Sequence, residues 1–166
     1  MELRTERLVL RPVTEGDVDA MLAIRNAPAA IATTFTRDAL PRETMAGQVE
    51  RRVQSWRERG FGSWLILFAD APVGFVELHP IGEDSGVDPD ELELGVVVHP
   101  DHWGRGIAGE AGLAVARDCF DRVGRARVYA EIEETNEKSL RLVAKVPGAR
   151  HLAGELYELT RDALPD

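Results

Sequence analysis

The feature that most constrains the fold is a strand pattern that passes through a glycine-rich loop directly into a helix. Residues 96–98 are wholly aliphatic, as in a strand that enters a buried region. The loop that follows ends at Gly104 and Gly106, and apolar residues then recur at helical spacing from 107 to 123. The sequence therefore predicts a strand, a loop that turns on glycine, and a helix that starts at once.

This strand–loop–helix unit has the properties of an anion site. The first turn of a helix offers N–H groups without intrahelical partners and a partial positive charge. The loop and first turn are rich in small residues, namely Gly104, Gly106, Ala108 and Gly109. They allow a phosphate to approach the backbone closely, and Arg105 can add charge-assisted contacts. An anion would have to be held locally in this way, because 29 acidic and 20 basic side chains give a formal charge of −9.

Other phosphate loops fit less well. A P-loop requires Lys and then Ser or Thr after its last glycine, whereas Glu110 follows Gly109. The spacing Gly104-x-Gly106-x-x-Gly109 matches the letters of the dinucleotide fingerprint, but that fingerprint opens a chain-initial βαβ unit, and here two helices and several strands come first. Two alternatives remain: a helix start that uses glycine only for turning, and a nucleotide-binding protein that takes ATP or NAD.

The rest of the chain predicts a mixed α/β fold in one domain over residues 1–166. Strands are expected at 8–13, 63–68, 73–78, 91–98, 127–132 and 156–159, and helices at about 18–25, 42–60, 107–123 and 135–146. A hairpin turn is expected at 69–72 and an acidic loop at 82–90, while 29–41 is interpreted as a loop.

Composition narrows the class of protein and its location. The negative charge disfavours nucleic acid, and no apolar run approaches the roughly 20 residues that span a bilayer. The N-terminus is charged and lacks a signal-peptide pattern. Cys119 is the sole cysteine, which excludes an intramolecular disulfide and fits a reducing compartment, so we expect a cytoplasmic protein.

Cys119 also lies on the apolar stripe of its helix and is expected to be a core thiol. His99 and His102 lack further ligands at a known placement, and no metal site is predicted.

Three segments together resemble the GNAT superfamily of N-acetyltransferases: Glu93-Leu94-Gly95, the run from His99 to Ala111, and Asn136-x-x-Ser139. The likeness is to the branch of ribosomal-protein N-terminal acetyltransferases, whose first strand is similar to the segment Thr5 to Pro12. The similarity covers about residues 5–150. The chain departs from the family pattern at 147–149, where Pro-Gly-Ala stands in place of an expected aromatic residue.

The resemblance implies an α/β acyl-CoA N-acyltransferase fold, with a central twisted sheet splayed after the strand at 96–98 and acetyl-CoA in the gap. The pantetheine arm would pair with the backbone of Val96, Val97 and Val98, and Asn136 would contact it. The pyrophosphate would lie on Gly104, Arg105, Gly106, Ile107, Ala108 and Gly109. Family precedent also suggests a homodimer.

Acetyl transfer to an amine requires a neutral nucleophile, stabilisation of a developing oxyanion, and a proton for the departing thiolate. Glu93 precedes the cofactor strand and is the expected base, directly or through water, with Glu91 as the fallback. Ser139 is the expected acid, and a backbone N–H near Val97 or Val98 is the expected oxyanion donor. Glu93 could instead be a solvated strand carboxylate, and Ser139 an exposed helix serine.

We therefore expect the chain to transfer acetyl from acetyl-CoA to a primary amine by direct attack in a ternary complex. The acceptor is either a protein N-terminus or a small amine. The alternative from another class is a non-catalytic acyl-CoA-binding or regulatory module, which would keep the cofactor loop and lack a working base.

Overall fold

A mixed eight-stranded sheet with helices on both faces forms the molecule. The computed structural model describes residues 1–33 and 36–164, without the side chain of Ala163. The strands are β1 (Leu3–Arg4), β2 (Leu8–Pro12), β3 (Trp64–Phe68), β4 (Ala71–Pro80), β5 (Leu92–Val98), β6 (Arg127–Glu131), β7 (Arg150–Ala153) and β8 (Leu156–Thr160). The α-helices are α1 (Val18–Arg25), α2 (Pro28–Ile31), α3 (Arg42–Arg59), α4 (Ile107–Asp121) and α5 (Glu137–Val143). The expected α/β fold is confirmed.

The sheet consists of two antiparallel parts joined by one parallel step. Its strand order is β1-β2-β3-β4-β5-β6-β8-β7. Strands β1 to β5 are antiparallel to their neighbours, as are β6, β8 and β7, whereas β5 and β6 are parallel. A parallel step needs a crossover, and α4 supplies it, which is why the strand–loop–helix unit lies at the centre of the fold.

Helices cover the two faces of the sheet. Helix α4 buries Ile107, Ala111 and Val115 against residues such as Leu92 and Val98 of β5. On the opposite face, α1 and α3 form a second apolar cluster with the sheet, built from Val13, Val18, Met21, Ile24, Met45, Val49, Leu65 and Phe75. The sheet is thus buried on both sides at its centre, as expected of an α/β sandwich.

The two long helices, α3 and α4, each end at or shortly before a glycine. Gly60 ends α3 with φ 72, and Gly124 follows the end of α4 with φ 78. Both values lie in the left-handed region, which glycine adopts without a Cβ penalty. No helix in the described part of the chain is long and apolar enough to cross a membrane.

Three elements were not predicted. Strand β1 has two residues and β7 has four, so neither carries a usable alternation. The expected loop at 29–41 begins with helix α2, in which Pro28 occupies the first turn, where its missing N–H costs no hydrogen bond. Pro28 therefore starts a helix as well as ending the preceding one. Positions 34–35 of that expected loop lie outside the described residues.

Candidate active site

Strands β5 and β6 separate after one position of contact. β5 pairs with β4 at every residue from Leu92 to Val98. Among the described residues, β5 pairs with β6 at one position only, where Glu93 lies opposite Tyr129. The strands diverge beyond that pair, and a cleft of about 590 Å³ opens there, bounded by β5, α4 and α5. The family resemblance implied a splay after the strand at 96–98, and the structure has a splay on this strand that begins earlier, beyond Glu93.

The two faces of β5 have different surroundings. A Cβ on Gly112 of α4 would lie 3.4 Å from Val96 Cγ2 and 3.7 Å from Leu94 Cδ2, so these side chains face α4. Alternation directs Glu93, Gly95 and Val97 to the other face. A Cβ on Gly95 would meet no atom within 4 Å, which means that the strand opens directly onto the cleft there.

Many of the residues singled out from the sequence line this cleft: Glu93, Val96, Val97, Ala108, Gly109, Asn136 and Ser139. Val98 and Ile107 instead bury their side chains in the core, so any contact from them would come from the backbone. Gly104, Arg105 and Gly106 are exposed beyond the cleft, at the start of α4. Glu91, the fallback base, lies outside the lining and places Oε1 3.7 Å from Arg127 Nε.

The carboxyl group of Glu93, which lines the cleft, has a raised pKa. Burial raises its pKa, and the negative charge of Glu131 adds to that rise, whereas His79 and the backbone amide of Glu131 act in the opposite direction. A raised pKa brings a carboxylate closer to the basicity that proton abstraction near neutral pH requires. Glu93 is therefore equipped to accept a proton from a group held in the cleft.

The first turn of α5 presents the predicted polar pair. Asn136 is the N-cap, and its Oδ1 accepts a hydrogen bond from the backbone N–H of Ser139 at 3.2 Å. This contact occupies Asn136 Oδ1 and leaves its side-chain amide NH₂ available to the cleft. Ser139 is half-buried, and its hydroxyl is a donor and acceptor on the cleft wall.

The N-terminus of α4 has the geometry of an anion site. Gly106 is its N-cap with φ 77, and Gly104 has φ 74, values at which a side chain costs about 1–2 kcal/mol. The first intrahelical bond in this turn runs from the Glu110 N–H to the Gly106 carbonyl at 3.0 Å. The preceding N–H groups of the 15-residue helix are thus free to bind an anion at its positive end.

Arg7 binds Glu110 and thereby fixes this helix start to the β1–β2 segment. Its Nε and Nη2 donate to Glu110 Oε2 at 2.8 and 2.6 Å, and its backbone N–H donates to Oε1 at 3.1 Å. These contacts, together with the Thr5 hydroxyl, lower the pKa of Glu110 against the opposing effect of burial. The pairing neutralises the acid nearest the anion site and brings Arg7 beside Gly106.

Lys138 and Trp103 connect α5 to the same loop. The Trp103 indole N–H donates to the Val98 carbonyl at 2.7 Å, which anchors the ring at the end of β5. Lys138 places its ammonium 3.2 Å from the centroid of that ring, a cation–π contact. Arg105 makes no hydrogen bond or ion pair with the described residues. The helix start thus lies among three cations, Arg7, Arg105 and Lys138, in a chain of net charge −9.

The wall of the cleft opposite α5 comes from α3 and β4, and sequence patterns did not identify it. Arg52 and Glu77 form an ion pair there, and burial lowers the pKa of Arg52 to about 10, which leaves it charged at neutral pH. Arg52 neutralises Glu77. The carboxylates of Glu93 and Glu131 also line the cleft, as do the cations Arg25 and Lys145. His79 faces Glu93 across the β4–β5 ladder.

Neither the cysteine nor the two histidines of the 99–102 loop lie in the lining of the cleft. Cys119 is buried in the core as expected, and burial raises the pKa of its thiol to about 11. The rings of His99 and His102 lie 6.5 Å apart between centroids. The described residues contain no group of three or more His, Cys, Asp or Glu side chains able to hold a metal ion.

Comparison with known proteins gives a family for this arrangement. Residues 7–147 match the acetyltransferase (GNAT) domain family. The chain is 25% identical to the uncharacterised N-acetyltransferase YoaA of Bacillus subtilis, over 87% of its own length and 80% of that protein. Its fold is similar to that of RimJ of Mycobacterium smegmatis in complex with CoA-disulfide, with TM-score 0.76, 20% identity, and coverage of 100% and 88% of the two chains. It also resembles AAC(6')-Ib in complex with ribostamycin and coenzyme A, with TM-score 0.78, 13% identity, and coverage of 95% and 96%.

Proposed function

The chain belongs to the GNAT family of N-acetyltransferases, and from this premise we propose that it moves acetyl from acetyl-CoA to a primary amine by direct attack in a ternary complex. One observation carries the proposal. The unpaired edge of β5, the carboxyl of Glu93 and the hydroxyl-bearing turn of α5 all open into the same cleft. In that juxtaposition a strand edge able to bind an extended amide chain lies next to the carboxyl and the hydroxyl that we propose as base and acid.

The residues present fit acetyl-CoA along this path. Between Val96 and Val98 the backbone groups that β6 leaves unpaired can hydrogen-bond the amides of the pantetheine arm, as an added strand would. The free N–H groups at Gly106 to Gly109 and the cations Arg7, Arg105 and Lys138 suit the phosphates. Asn136 can donate to the arm from the opposite wall. When bound, acetyl-CoA supplies the acetyl group as a thioester, which an amine attacks without a covalent enzyme step.

Glu93 is the proposed base, because an amine at neutral pH enters as an ammonium and must lose a proton before it attacks. Glu93 and Glu131 attract that ammonium, and the raised pKa of Glu93 suits the transfer. A backbone N–H of Val97 or Val98 is the proposed donor to the oxygen on which negative charge develops. Ser139 is the proposed donor to the departing sulfur, from its place on the cleft wall.

The acceptor is proposed to be a protein N-terminus or a small amine. The likeness to RimJ supports the branch that the sequence motifs resemble, and the likeness to AAC(6')-Ib supports a small amine equally well. Both acceptors carry the ammonium that the Glu93–Glu131 pair attracts. The two classes differ in size, and a peptide would have to continue out of the cleft past Gln48 and Arg52, which border both this cleft and an outer groove along α3.

Calorimetric titration with acetyl-CoA, followed by an assay of free thiol with a panel of amines and N-terminal peptides, tests the proposal. We expect saturable binding of acetyl-CoA, followed by thiol release that depends on the amine. Parallel titrations with ATP or NAD should show no binding. Binding without release across the whole panel would favour a non-catalytic acyl-CoA-binding module. Binding of ATP or NAD in place of acetyl-CoA would contradict the proposal and favour a nucleotide site.

A further inference from the structure

N-acetylation of an ammonium releases one net proton, and the fold must provide a way out for it. The nitrogen loses two protons as the amide N–C bond forms and the C–S bond breaks, and the departing thiolate takes up one of them. If Glu93 accepts the other, as proposed above, it remains protonated and unable to act again. Glu93 is half-buried between β4 and β6, so its proton needs a second acceptor nearer to solvent.

His79 occupies the position that such an acceptor requires. It is the register partner of Glu93 in the antiparallel β4–β5 ladder, so the two side chains project from the same face about 5 Å apart at Cβ. Both line the cleft. His79 also lines the outer groove, a hollow of about 660 Å³ between α3 and β4. The imidazole is exposed, whereas Glu93 is not. His79 therefore lies between the enclosed carboxyl and bulk water.

The hydrogen bond that His79 makes with the backbone fixes the tautomer of its neutral ring. Nδ1 of His79 lies 2.9 Å from the Pro80 carbonyl oxygen. Because a carbonyl oxygen only accepts hydrogen bonds, Nδ1 carries the hydrogen, and Nε2 of the neutral ring keeps its lone pair. The Pro80 contact persists when Nε2 is protonated, so the ring can gain and lose a proton without turning.

Charged side chains from α3, β4, β5 and β6 line the cleft and the outer groove around His79. Glu93 from β5 and Glu131 from β6 present negative charge toward the same part of the cleft. Glu77 on β4 is neutralised by Arg52 from α3, and Arg51, Glu58 and Arg59 of α3 line the outer groove. The nearest carboxylate without a cationic partner is thus the one that His79 faces across the ladder.

We propose that His79 relays the catalytic proton from Glu93 to solvent. Glu93 takes the proton from the acceptor ammonium, its carboxyl O–H passes that proton to Nε2 of His79 directly or through one water, and the imidazolium releases it into the outer groove. Glu93 is then ionised again, and no electron transfer or further reactant is involved. His79 acts through Glu93 and serves as a positioning and relay residue for the known family reaction.

The test compares His79→Asn and His79→Ala with wild type and with His151→Asn. Asn at position 79 can still donate a hydrogen bond to the Pro80 carbonyl but has no basic nitrogen. His151 is a matched control, because its Nε2 also lies at hydrogen-bond distance, 2.7 Å, from a backbone carbonyl, that of Gly154, outside the cleft. Turnover is measured by thiol release at saturating acetyl-CoA and amine, with and without added imidazole.

We expect His79→Asn to lower kcat by about tenfold or more while the Kd for acetyl-CoA stays within twofold of wild type. Added imidazole should restore turnover of His79→Ala and leave that of Glu93→Gln unchanged, a response that a purely structural role for His79 would not produce. Unchanged kcat in His79→Asn, or a loss that imidazole does not relieve, would overturn the relay. A wild-type chain that binds acetyl-CoA and acetylates no amine would overturn the proposed function itself.

Discussion

The two edges of β5 differ in how far they are paired with a neighbouring strand. The edge toward β4 is paired at every residue, and the edge toward β6 is paired at Glu93 alone among the described residues. Unpaired backbone groups are costly when buried, so an open edge persists only where water or a ligand can reach it. The paired edge holds β5 rigid, and the open edge makes it a binding surface. A single strand thus supplies both the scaffold and the site.

The two faces of β5 repeat this contrast. Leu94 and Val96 pack against α4, where Gly112 allows close approach. Glu93 and Gly95 face the cleft, one as a carboxyl and the other as a gap in the wall. Replacing Leu94 or Val96 should therefore affect folding, whereas replacing Glu93 or Gly95 should affect binding or turnover.

The severest test of this contrast is Glu93→Gln. We expect kcat to fall by about 100-fold or more, because the amide cannot accept the ammonium proton, with the Kd for acetyl-CoA little changed. Thiol release and calorimetry measure the two quantities. The matched control is Glu91→Gln, two residues earlier and outside the cleft, where it lies near Arg127. Normal turnover of Glu93→Gln would remove the base from the proposal.

The second test extends the comparison to the two ends of α4. Gly106 and Gly124 have φ 77 and 78, so an aspartate at either position incurs a similar backbone strain. Only Gly106→Asp adds a negative charge at the proposed phosphate site, and there we expect the Kd for acetyl-CoA to rise by about 100-fold. Gly124→Asp carries the same backbone strain and should retain binding. Equal Kd values for the two variants would contradict a phosphate site at this helix start.

A third variant closes the open face of β5. Gly95→Val introduces a side chain where no atom lies within 4 Å of its Cβ, so the fold should accept it. The new methyl groups would occupy the cleft, and we expect about a tenfold loss in kcat/KM for the amine, with Tm unchanged. The control is Gly82→Val, in an exposed loop with φ −63 and an equally empty surrounding. If both variants behave as wild type, the cleft beside Gly95 does not hold substrate.

Only part of this contrast between the edges of β5 can be predicted from the sequence. The strand–loop–helix unit around Gly106 is predictable, because periodicity and glycine placement are local. The edge of β5 that opens is not predictable from an aliphatic run, since such a run suits a strand paired on both edges. Short elements such as β1 and α2 carry too few residues for a period to emerge.

Most of the site residues that the sequence did not predict are placed there by contacts between distant parts of the chain. Arg7 and Glu110 are 103 residues apart in sequence, and nothing in either segment indicates the other. No local sequence pattern pairs His79 with another residue, whereas the β4–β5 register places it opposite Glu93. Register is a property of the assembled sheet, so these residues become interpretable only in the fold.

The smallest expected effect compares two carboxyls with opposite pKa shifts. The pKa of Glu110 is lowered in the folded chain, so its ion pair contributes stability above the ordinary pKa of 4.5 that is lost as pH falls through the folded value. Because burial raises the pKa of Glu93, its ionisation opposes folding, and that cost appears as pH rises from 4.5 through the folded value. At pH 7 we therefore expect Glu110→Gln to lower the free energy of unfolding by about 1 kcal/mol.

Glu93→Gln should leave the free energy of unfolding unchanged or raise it at the same pH, since the neutral amide avoids the cost of a half-buried charge. Urea titrations at pH 7 and pH 4 measure the free energy of unfolding of both variants. The difference between the two variants should shrink at pH 4, which lies below the raised pKa of Glu93 and closer to the lowered pKa of Glu110. Loss of stability in Glu93→Gln at pH 7 would mean that the carboxylate is held by favourable contacts. In that case the cleft face of β5 would be stabilised as its packed face is, and the separation of scaffold from site within this strand would fail.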